Sequence, residues 1–176
     1  GGELGQQWAG GTKRNAEIRT VFDYKSDTHY PLTDDQIRVC VMLSADGHLP
    51  DRGKQARVTV RKERKKERIR YLLDKAGIAY TEHTYESRPT ETTFRFVPPE
   101  YSKDLSRFYK ASRAQLEVIV DEVMYWDAHI GEKGSYYTSG ARSNVDFIQF
   151  AFCATGMPSK ISVETYDKPN WNPSYR

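Results

Sequence analysis

Cysteine is scarce in this chain of 176 residues, and its two copies, Cys40 and Cys153, lie far apart. No CxxC pair occurs, so a structural zinc site has no support. Each cysteine lies in an apolar run, which favours two buried thiols over a disulfide. No apolar run reaches the roughly 18 residues of a membrane span, and no charged-then-apolar leader opens the sequence. We therefore expect a soluble, cytoplasmic protein without a membrane partner.

Common catalytic and nucleotide-binding signatures are also missing. The sequence has no GxGxxG or GxxxxGK[ST] loop and no evident Ser/His/Asp nucleophile arrangement. Hydrophobic residues make up only 38% of the chain. A core this thin favours small repeated units that share one interface over a single thick sandwich.

Positive charge is concentrated in one segment. Residues 52–70 contain ten basic residues and two acids, a net charge of +8, so the remainder of a chain of net charge +3 carries −5. A basic patch on a nearly neutral molecule indicates a polyanionic partner that meets one face. A solvated helix face is the alternative interpretation of this segment.

Residues 31–110 form the first predicted unit, after an N-terminal arm at residues 1–30. Thr33 and Gln36 predict a capping box at the start of an apolar helix that ends at Asp46-Gly47, where Gly47 suits a left-handed conformation. Residues 56–62 alternate as a strand with one apolar face, formed by Ala56, Val58 and Val60. A helix at 63–75 that stops at Gly77, strands near 78–85 and 92–97, and a short helix near 102–109 complete the unit.

Residues 111–176 repeat this order in a second unit that is shorter at its end. Ser112 and Gln115 predict another capping box, and the apolar helix that follows ends at Asp127-Ala128. A strand at 135–138, a helix at 143–154 before Gly156 and a strand at 160–165 follow. Because the order of elements occurs twice, with the two acids 81 residues apart, we predict an α+β fold of two pseudo-symmetric αββαββα halves packed through the two apolar helices.

The two acids define a candidate metal site. If the apolar helices pack side by side, Asp46 and Asp127 lie close together at helix ends that are already partly negative. A bridging divalent cation relieves this repulsion, and few oxygen ligands with room for water and phosphate suit Mg²⁺ or Mn²⁺. Such a site can hydrolyse a phosphodiester. His48 and His129 each follow an acid by two residues, but we expect neither to bind the metal.

These sequences resemble a known family. Residues 39–47 (VCVMLSADG) resemble the LAGLIDADG motif, and residues 120–128 (VDEVMYWDA) resemble a diverged second copy in which Ala128 replaces glycine. The resemblance covers roughly residues 30–166 and extends to endonuclease regions of phage inteins. It implies a monomeric homing endonuclease of phage or microbial origin that cuts double-stranded DNA. In this family a saddle-shaped antiparallel sheet binds along the major groove. Asp46 and Asp127 would bind the metal, with Gly47 and Ala128 at the closely packed helix ends.

The resemblance and the strand alternation together select further site residues. Arg57, Thr59 and Arg61 would face the DNA groove, with Lys62 and Lys65 on phosphates. Their counterparts in the second half would be Tyr137, Ser139 and Arg142. Candidates for organising the catalytic water are Arg61 and Lys62, and Lys103, Lys133 and Lys160 are further candidates for a catalytic base. Two alternatives stay open, namely a nucleic-acid-binding module of this fold that does not cut, of maturase-like or regulatory type, and an unrelated α/β protein.

Overall fold

A computed structural model describes residues 28–126 and 141–156, together with the backbone of strands 128–131 and 134–137. The elements of the first half are α1 (Asp34–Asp46), β1 (Gly47–His48), β2 (Ala56–Val60), α2 (Glu63–Lys75), β3 (Tyr80–His83), β4 (Thr92–Phe96) and a 3-10 helix (Leu105–Lys110). Those of the second half are α3 (Arg113–Val123), β5 (Ala128–Gly131), β6 (Gly134–Tyr137) and α4 (Arg142–Ala154). The order predicted for the first half is confirmed.

Helices α1 and α3 pack against each other and form the centre of the molecule. Both begin with a complete capping box, Thr33 with Gln36 in α1 and Ser112 with Gln115 in α3. These caps satisfy backbone N–H groups that would otherwise lack partners at the helix starts. From Val39 to Leu43 every side chain of α1 is buried, because the helix lies between α3, α2 and the sheet. The predicted packing of two capped apolar helices is therefore confirmed.

The first half carries a four-stranded antiparallel sheet with strand order β1-β2-β4-β3. Ala56, Val58 and Val60 of β2 are buried, while Thr59 is exposed, as the alternation predicts. Phe94 and Phe96 of β4 extend the same apolar face, against which α1 packs. Since one face is covered by helices, the other face of the sheet is open to a ligand.

A buried polar cluster joins the second half to α1. The Asn144 amide at the start of α4 donates to Ser44 Oγ (3.1 Å) and to the Lys103 carbonyl (3.0 Å). Its oxygen accepts from the Leu105 backbone N–H at 2.8 Å. Ser44 Oγ also donates to the Lys103 carbonyl at 3.0 Å. This cluster satisfies polar groups at the interface of α1, α4 and the 3-10 helix, so it fixes how the two halves meet.

Several details of the prediction were wrong. Gly47 is extended (φ −84°, ψ 160°) and not left-handed. Helix α3 ends at Val123, followed by a turn through Trp126, whereas the apolar pattern predicted a helix as far as Asp127. Tyr125 in this turn is 43% exposed. Gly77 does adopt a positive φ of 68°, as predicted for a helix stop.

Some predicted features lie outside the described residues: most of the arm at residues 1–30, Asp127, Lys133, Ser139, the strand at 160–165 and Lys160. Within the part of the chain that the structure describes, both cysteines are free thiols, but only Cys40 is buried as predicted, whereas Cys153 is half-buried. Burial raises the pKa of Cys40 to about 11. No helix among the described residues is long and apolar enough to span a bilayer.

Candidate functional site

The uncovered face of the four-stranded sheet carries polar and basic side chains in two rows. Antiparallel register places His48, Arg57, Arg95 and Thr81 directly across from one another on successive strands. Thr59, Thr93 and His83 form the next row. The Thr59 and Thr93 hydroxyls are hydrogen-bonded at 2.9 Å. We call these seven residues the open sheet face, of which Thr93 is buried.

Two arginines stand directly opposite each other on this face. Arg57 of β2 pairs in register with Arg95 of β4, and both are half-buried. Neither forms an ion pair with an acid among the described residues. Like charges in direct cross-strand positions destabilise a sheet, so this pair has a cost in the isolated protein. An anionic ligand would remove that cost.

The basic helix α2 does not present its charges to solvent as a uniform patch. Lys66 and Arg70 lie near Glu63, at 3.7 Å and 3.6 Å, and Arg70 also binds Glu82 at 2.8 Å. Arg68 binds Glu122 of α3. Arg64 donates to the Tyr125 carbonyl at 3.1 Å. Much of the charge excess that indicated a polyanion therefore joins α2 to α3 and to β3.

Asp46, the acid of the first motif, lies in a shallow groove of about 360 Å³. Asp46 Oδ2 is 2.5 Å from Lys65 Nζ, and the two side chains are 18% and 17% exposed. The groove is lined by Asp46, Thr59, Val60, Arg61, Lys62, Lys65 and Glu91. Three cations and two acids give it a net positive charge, so it can accept an anion. Thr59 belongs both to the groove and to the open sheet face, so the two surfaces are continuous.

Arg61 is paired with an acid, whereas the neighbouring Lys62 is not. The Arg61 guanidinium donates to Glu91 Oε1 from two nitrogens, at 2.9 Å and 2.6 Å. These hydrogen bonds hold the pKa of the Glu91 carboxyl below its ordinary value. Lys62 is exposed and forms no ion pair with any acid that the structure describes. Lys62 is thus the groove cation most available to a phosphate.

The Lys103 side chain contacts the residue that follows α1, but it does not line the groove. Its Nζ donates to the Gly47 carbonyl at 2.7 Å. That carbonyl is the atom through which Gly47 would contact a metal, and it already has a partner here. A Cβ built on Gly47 would lie 2.4 Å from the Leu43 carbonyl oxygen and 2.3 Å from Leu43 Cδ1. Close approach to the last turn of α1 therefore requires glycine at this position, although positive φ does not.

The predicted site residues of the second half are placed only in part. Arg142 begins α4, is 76% exposed and lies 3.8 Å from Asp146. Tyr137 ends β6 and Ala128 begins β5, and only their backbones belong to the described residues. Asp127 and Ser139 lie outside the described part, so their roles remain predictions.

The turn before Asp127 is held by a buried ionic cluster. Glu122 is fully buried and binds Arg38 of α1 at 3.0 Å, Arg68 of α2 and the Trp126 Nε1–H group at 2.9 Å. Burial lowers the pKa of Arg68, but the hydrogen bond and charge of Glu122 more than offset this, so that pKa is raised. Lys65 Nζ lies 5.6 Å from the centre of the Trp126 ring. The ends of both motif helices therefore meet the N-terminal part of α2.

Sequence reasoning missed Arg95, Glu91 and Glu122. Strand alternation in residues 92–97 carries the signal for Arg95, since Phe94 and Phe96 flank it. Glu91 lies in a polar turn far from Arg61 in sequence, and only the β2–β4 register brings them together. Glu122 sits inside the second motif, where an acid in an apolar helix could have indicated a buried ion pair.

Two pseudo-symmetric motif helices, an antiparallel sheet with one open face and an acid at the end of the first motif helix define a LAGLIDADG-type fold. Solved structures agree with this assignment of fold. The N-terminal LAGLIDADG domain of DUF199/WhiA has a TM-score of 0.54 at 7% identity, with 92% of this chain and 85% of that chain covered. I-DmoI in complex with DNA and Mn has a TM-score of 0.52 at 8% identity, with 81% and 87% covered.

Mesophilic variants of the homing endonuclease I-DmoI give a TM-score of 0.53 at 8% identity, over 81% of this chain and 86% of theirs. No family model and no curated protein matches the sequence. At such low identity these similarities show the fold alone. They set aside the alternative of an unrelated α/β protein.

Proposed function

We propose that this protein is a site-specific, metal-dependent endonuclease that binds double-stranded DNA through the open sheet face. The observation that carries the proposal is the continuity of that face with the Asp46 groove, through Thr59. Bound DNA that lies along the sheet would bring a phosphodiester next to an acid in a net-positive groove. The similarity to I-DmoI, solved with DNA and Mn, supports the same arrangement.

Arg57 and Arg95 are the proposed DNA contacts with the strongest physical support. They share one row of the sheet and lack acidic partners among the described residues. Arginine binds both phosphates and guanine edges, so either kind of contact would relieve their mutual repulsion. Thr59 adds a hydroxyl that can donate or accept. Tyr137, Ser139 and Arg142 are proposed as the contacts of the second half.

The donor set at Asp46 is compatible with Mg²⁺ or Mn²⁺. Magnesium binds proteins through one or two carboxylates and retains waters or takes substrate phosphates as further ligands. Asp46 supplies one partly exposed carboxylate in a groove with room for water, and Asp127 is proposed as the second. Held by these carboxylates, a divalent metal would supply activation of water and stabilisation of the charge that develops on the phosphate oxygens.

The chain's own residues would orient the phosphodiester. Lys62, exposed at the groove, would bind the phosphate next to the cleaved bond. Arg61 would add a second contact once its pairing with Glu91 loosens. Lys103 would act through the end of α1, because its ammonium holds the Gly47 carbonyl and thereby fixes the residue after Asp46. In this proposal Lys103 is a positioning residue.

A cleavage-site selection tests the proposal. The full chain is incubated with a randomised duplex library and Mg²⁺, and cut ends are sequenced for wild type, Asp46→Asn and Asp127→Asn. We expect cleavage at one long site that disappears in both variants and without metal, while gel-shift binding of that site survives. Cleavage that persists in Asp46→Asn would overturn the assigned role of Asp46.

Binding without cleavage is the second candidate, and a specific observation favours it. Among the described residues no group of three or more His, Cys, Asp or Glu side chains could hold a metal, and Lys65 already neutralises Asp46. A protein of this kind would select a duplex site from the library by salt-sensitive binding and leave it intact at every metal concentration. The same selection experiment distinguishes the two functions.

A further inference from the structure

The contact between Lys65 and Asp46 has a direct consequence for metal binding. Lys65 Nζ lies 2.5 Å from Asp46 Oδ2, one of the two carboxylate oxygens that a metal could use. Both side chains are more than four-fifths buried, so solvent screens their attraction less than at an open surface. An ammonium and a divalent cation cannot both occupy the same side of one carboxylate oxygen.

We propose that Lys65 keeps divalent metal out of Asp46 until DNA is bound. This inference rests on the proposed role of Asp46 as a metal ligand. Lys65 extends from the first turns of α2, whose N-terminal end is fixed by the bond between Arg64 and the Tyr125 carbonyl. The Trp126 ring at 5.6 Å from Nζ provides a further stabilising contact for the ammonium in this position.

The DNA backbone supplies the anion that Lys65 needs if a metal is to replace it at Asp46. To leave Asp46, the Lys65 ammonium needs another anion, and the other acid in the groove, Glu91, is already bound to Arg61. A phosphate in the groove gives Lys65 that partner and simultaneously offers oxygen ligands to the metal. Metal and DNA would therefore bind with positive coupling, and each would raise the affinity of the other by the same factor. A protein without its target would remain poorly loaded and would not cut at random.

The test is a titration of the DNA-free full chain with Mn²⁺, followed by electron paramagnetic resonance of the free ion. The variant is Lys65→Met, whose unbranched side chain is one atom shorter, carries no charge and can pack against Trp126. Lys66→Met is the matched control, since it removes the same charge one residue further along α2, where the side chain lies 3.7 Å from Glu63. Thermal unfolding checks that each variant is folded, and Lys65→Gln replaces Lys65→Met if it is not.

We expect Lys65→Met to bind Mn²⁺ about tenfold more tightly than wild type, a coupling in the range typical of linked sites. Lys66→Met should match wild type, and adding Asp46→Asn to Lys65→Met should remove the gain. Unchanged or weaker binding by Lys65→Met, or an equal gain in both lysine variants, would overturn the inference. Failure of the proposed function gives a different result. If Lys65→Met binds Mn²⁺ more tightly but the wild-type protein cuts no DNA, Lys65 still competes with the metal for Asp46, and the proposed nuclease activity is rejected.

Discussion

Gly47 shows how a single residue fixes the end of the first motif helix. Its backbone is extended, so strain in φ does not explain the glycine; a steric conflict with Leu43 does. We expect Gly47→Ala to lower the free energy of unfolding by about 1–3 kcal/mol, as for other overpacked sites, because the conflicting carbonyl oxygen belongs to the backbone and cannot rotate away. Urea unfolding followed by circular dichroism measures the change.

Gly77→Ala provides the comparison for this prediction. Gly77 has a φ of 68° and no atom within 4 Å of its Cβ position, so alanine there costs only backbone strain, about 1 kcal/mol. We expect Gly47→Ala to be the more destabilising of the two. The reverse order would mean that the chain leaves α1 by a different path.

The sequence pattern predicted the wrong conformation for Gly47, and therefore the wrong physical reason for a glycine there. A glycine after a helix usually indicates a left-handed cap, and this interpretation was correct for Gly77. At Gly47 the chain enters β1 directly and pairs with β2 at Val58, which needs an extended backbone. The sheet pairing that decides between these two conformations depends on residues far along the chain, so local pattern could not reveal it.

At the scale of elements, the Glu122 cluster joins α1, α2 and α3 at one buried point. Removing the charge of Glu122 leaves Arg68 without its acid, while Arg38 keeps Asp121 at 2.7 Å. We expect Glu122→Gln to lower the free energy of unfolding by about 3 kcal/mol, because the loss of one partner strands buried charge. Chemical denaturation at neutral pH measures the loss.

Glu117 on the same helix is the control. It lies 3.6 Å from Arg113 and is 56% exposed. Exposed pairs of this kind contribute little, so Glu117→Gln should change stability by no more than about 0.5 kcal/mol. Equal effects of the two substitutions would contradict the idea that α2 is fixed to α3 through Glu122.

The starts of α1 and α3 and both ends of α2 were predictable here because their signals are local, whereas the end of α3 and the conformation of Gly47 were not. Both capping boxes and the ends of α2 follow from residues within one helical turn. The partners of α2 were not predictable, since its cations pair with acids on α3 and β3 that are 12 to 54 positions away. The sequence therefore shows how many positive charges a helix carries, and only the tertiary structure shows which of them lack an acidic partner and could bind DNA.

The pairing of Arg61 with Glu91 is a second contact between elements with a measurable consequence. We expect Glu91→Gln to strengthen DNA binding a few-fold, because it frees Arg61 and removes a negative charge from the groove. If Arg61 then contacts a phosphate, the slope of log affinity against log salt should steepen by about 0.9. Glu82→Gln, which removes the same charge beside Arg70, should change neither quantity. Equal gains in both variants would indicate a general charge effect.

At the scale of the whole molecule, charge is divided between cohesion and recognition. Most cations of helix α2 bond to other groups of the protein, and Arg64 and Arg68 join it to the second half, while the open sheet face keeps two arginines opposite each other without acidic partners in the described chain. A surface selected for stability alone would not retain this repulsion. The anion binding proposed for this face would explain it, since the cost in the free protein would become a gain in the complex.

This division predicts opposite effects of one double substitution on stability and binding. Replacing Arg57 and Arg95 together by glutamine should raise the free energy of unfolding by roughly 0.2–1 kcal/mol, because like charges in cross-strand positions are removed. The same protein should bind duplex DNA more weakly, with the salt slope reduced by about 1.8 if both arginines contact phosphates. Fluorescence anisotropy at several salt concentrations measures the slope, and urea unfolding measures stability.

The control is the double substitution Lys75→Gln with Lys110→Gln, which removes two exposed charges elsewhere and should leave the slope unchanged. If the control weakens binding as much as the arginine pair does, DNA is held by net charge and not by the open sheet face.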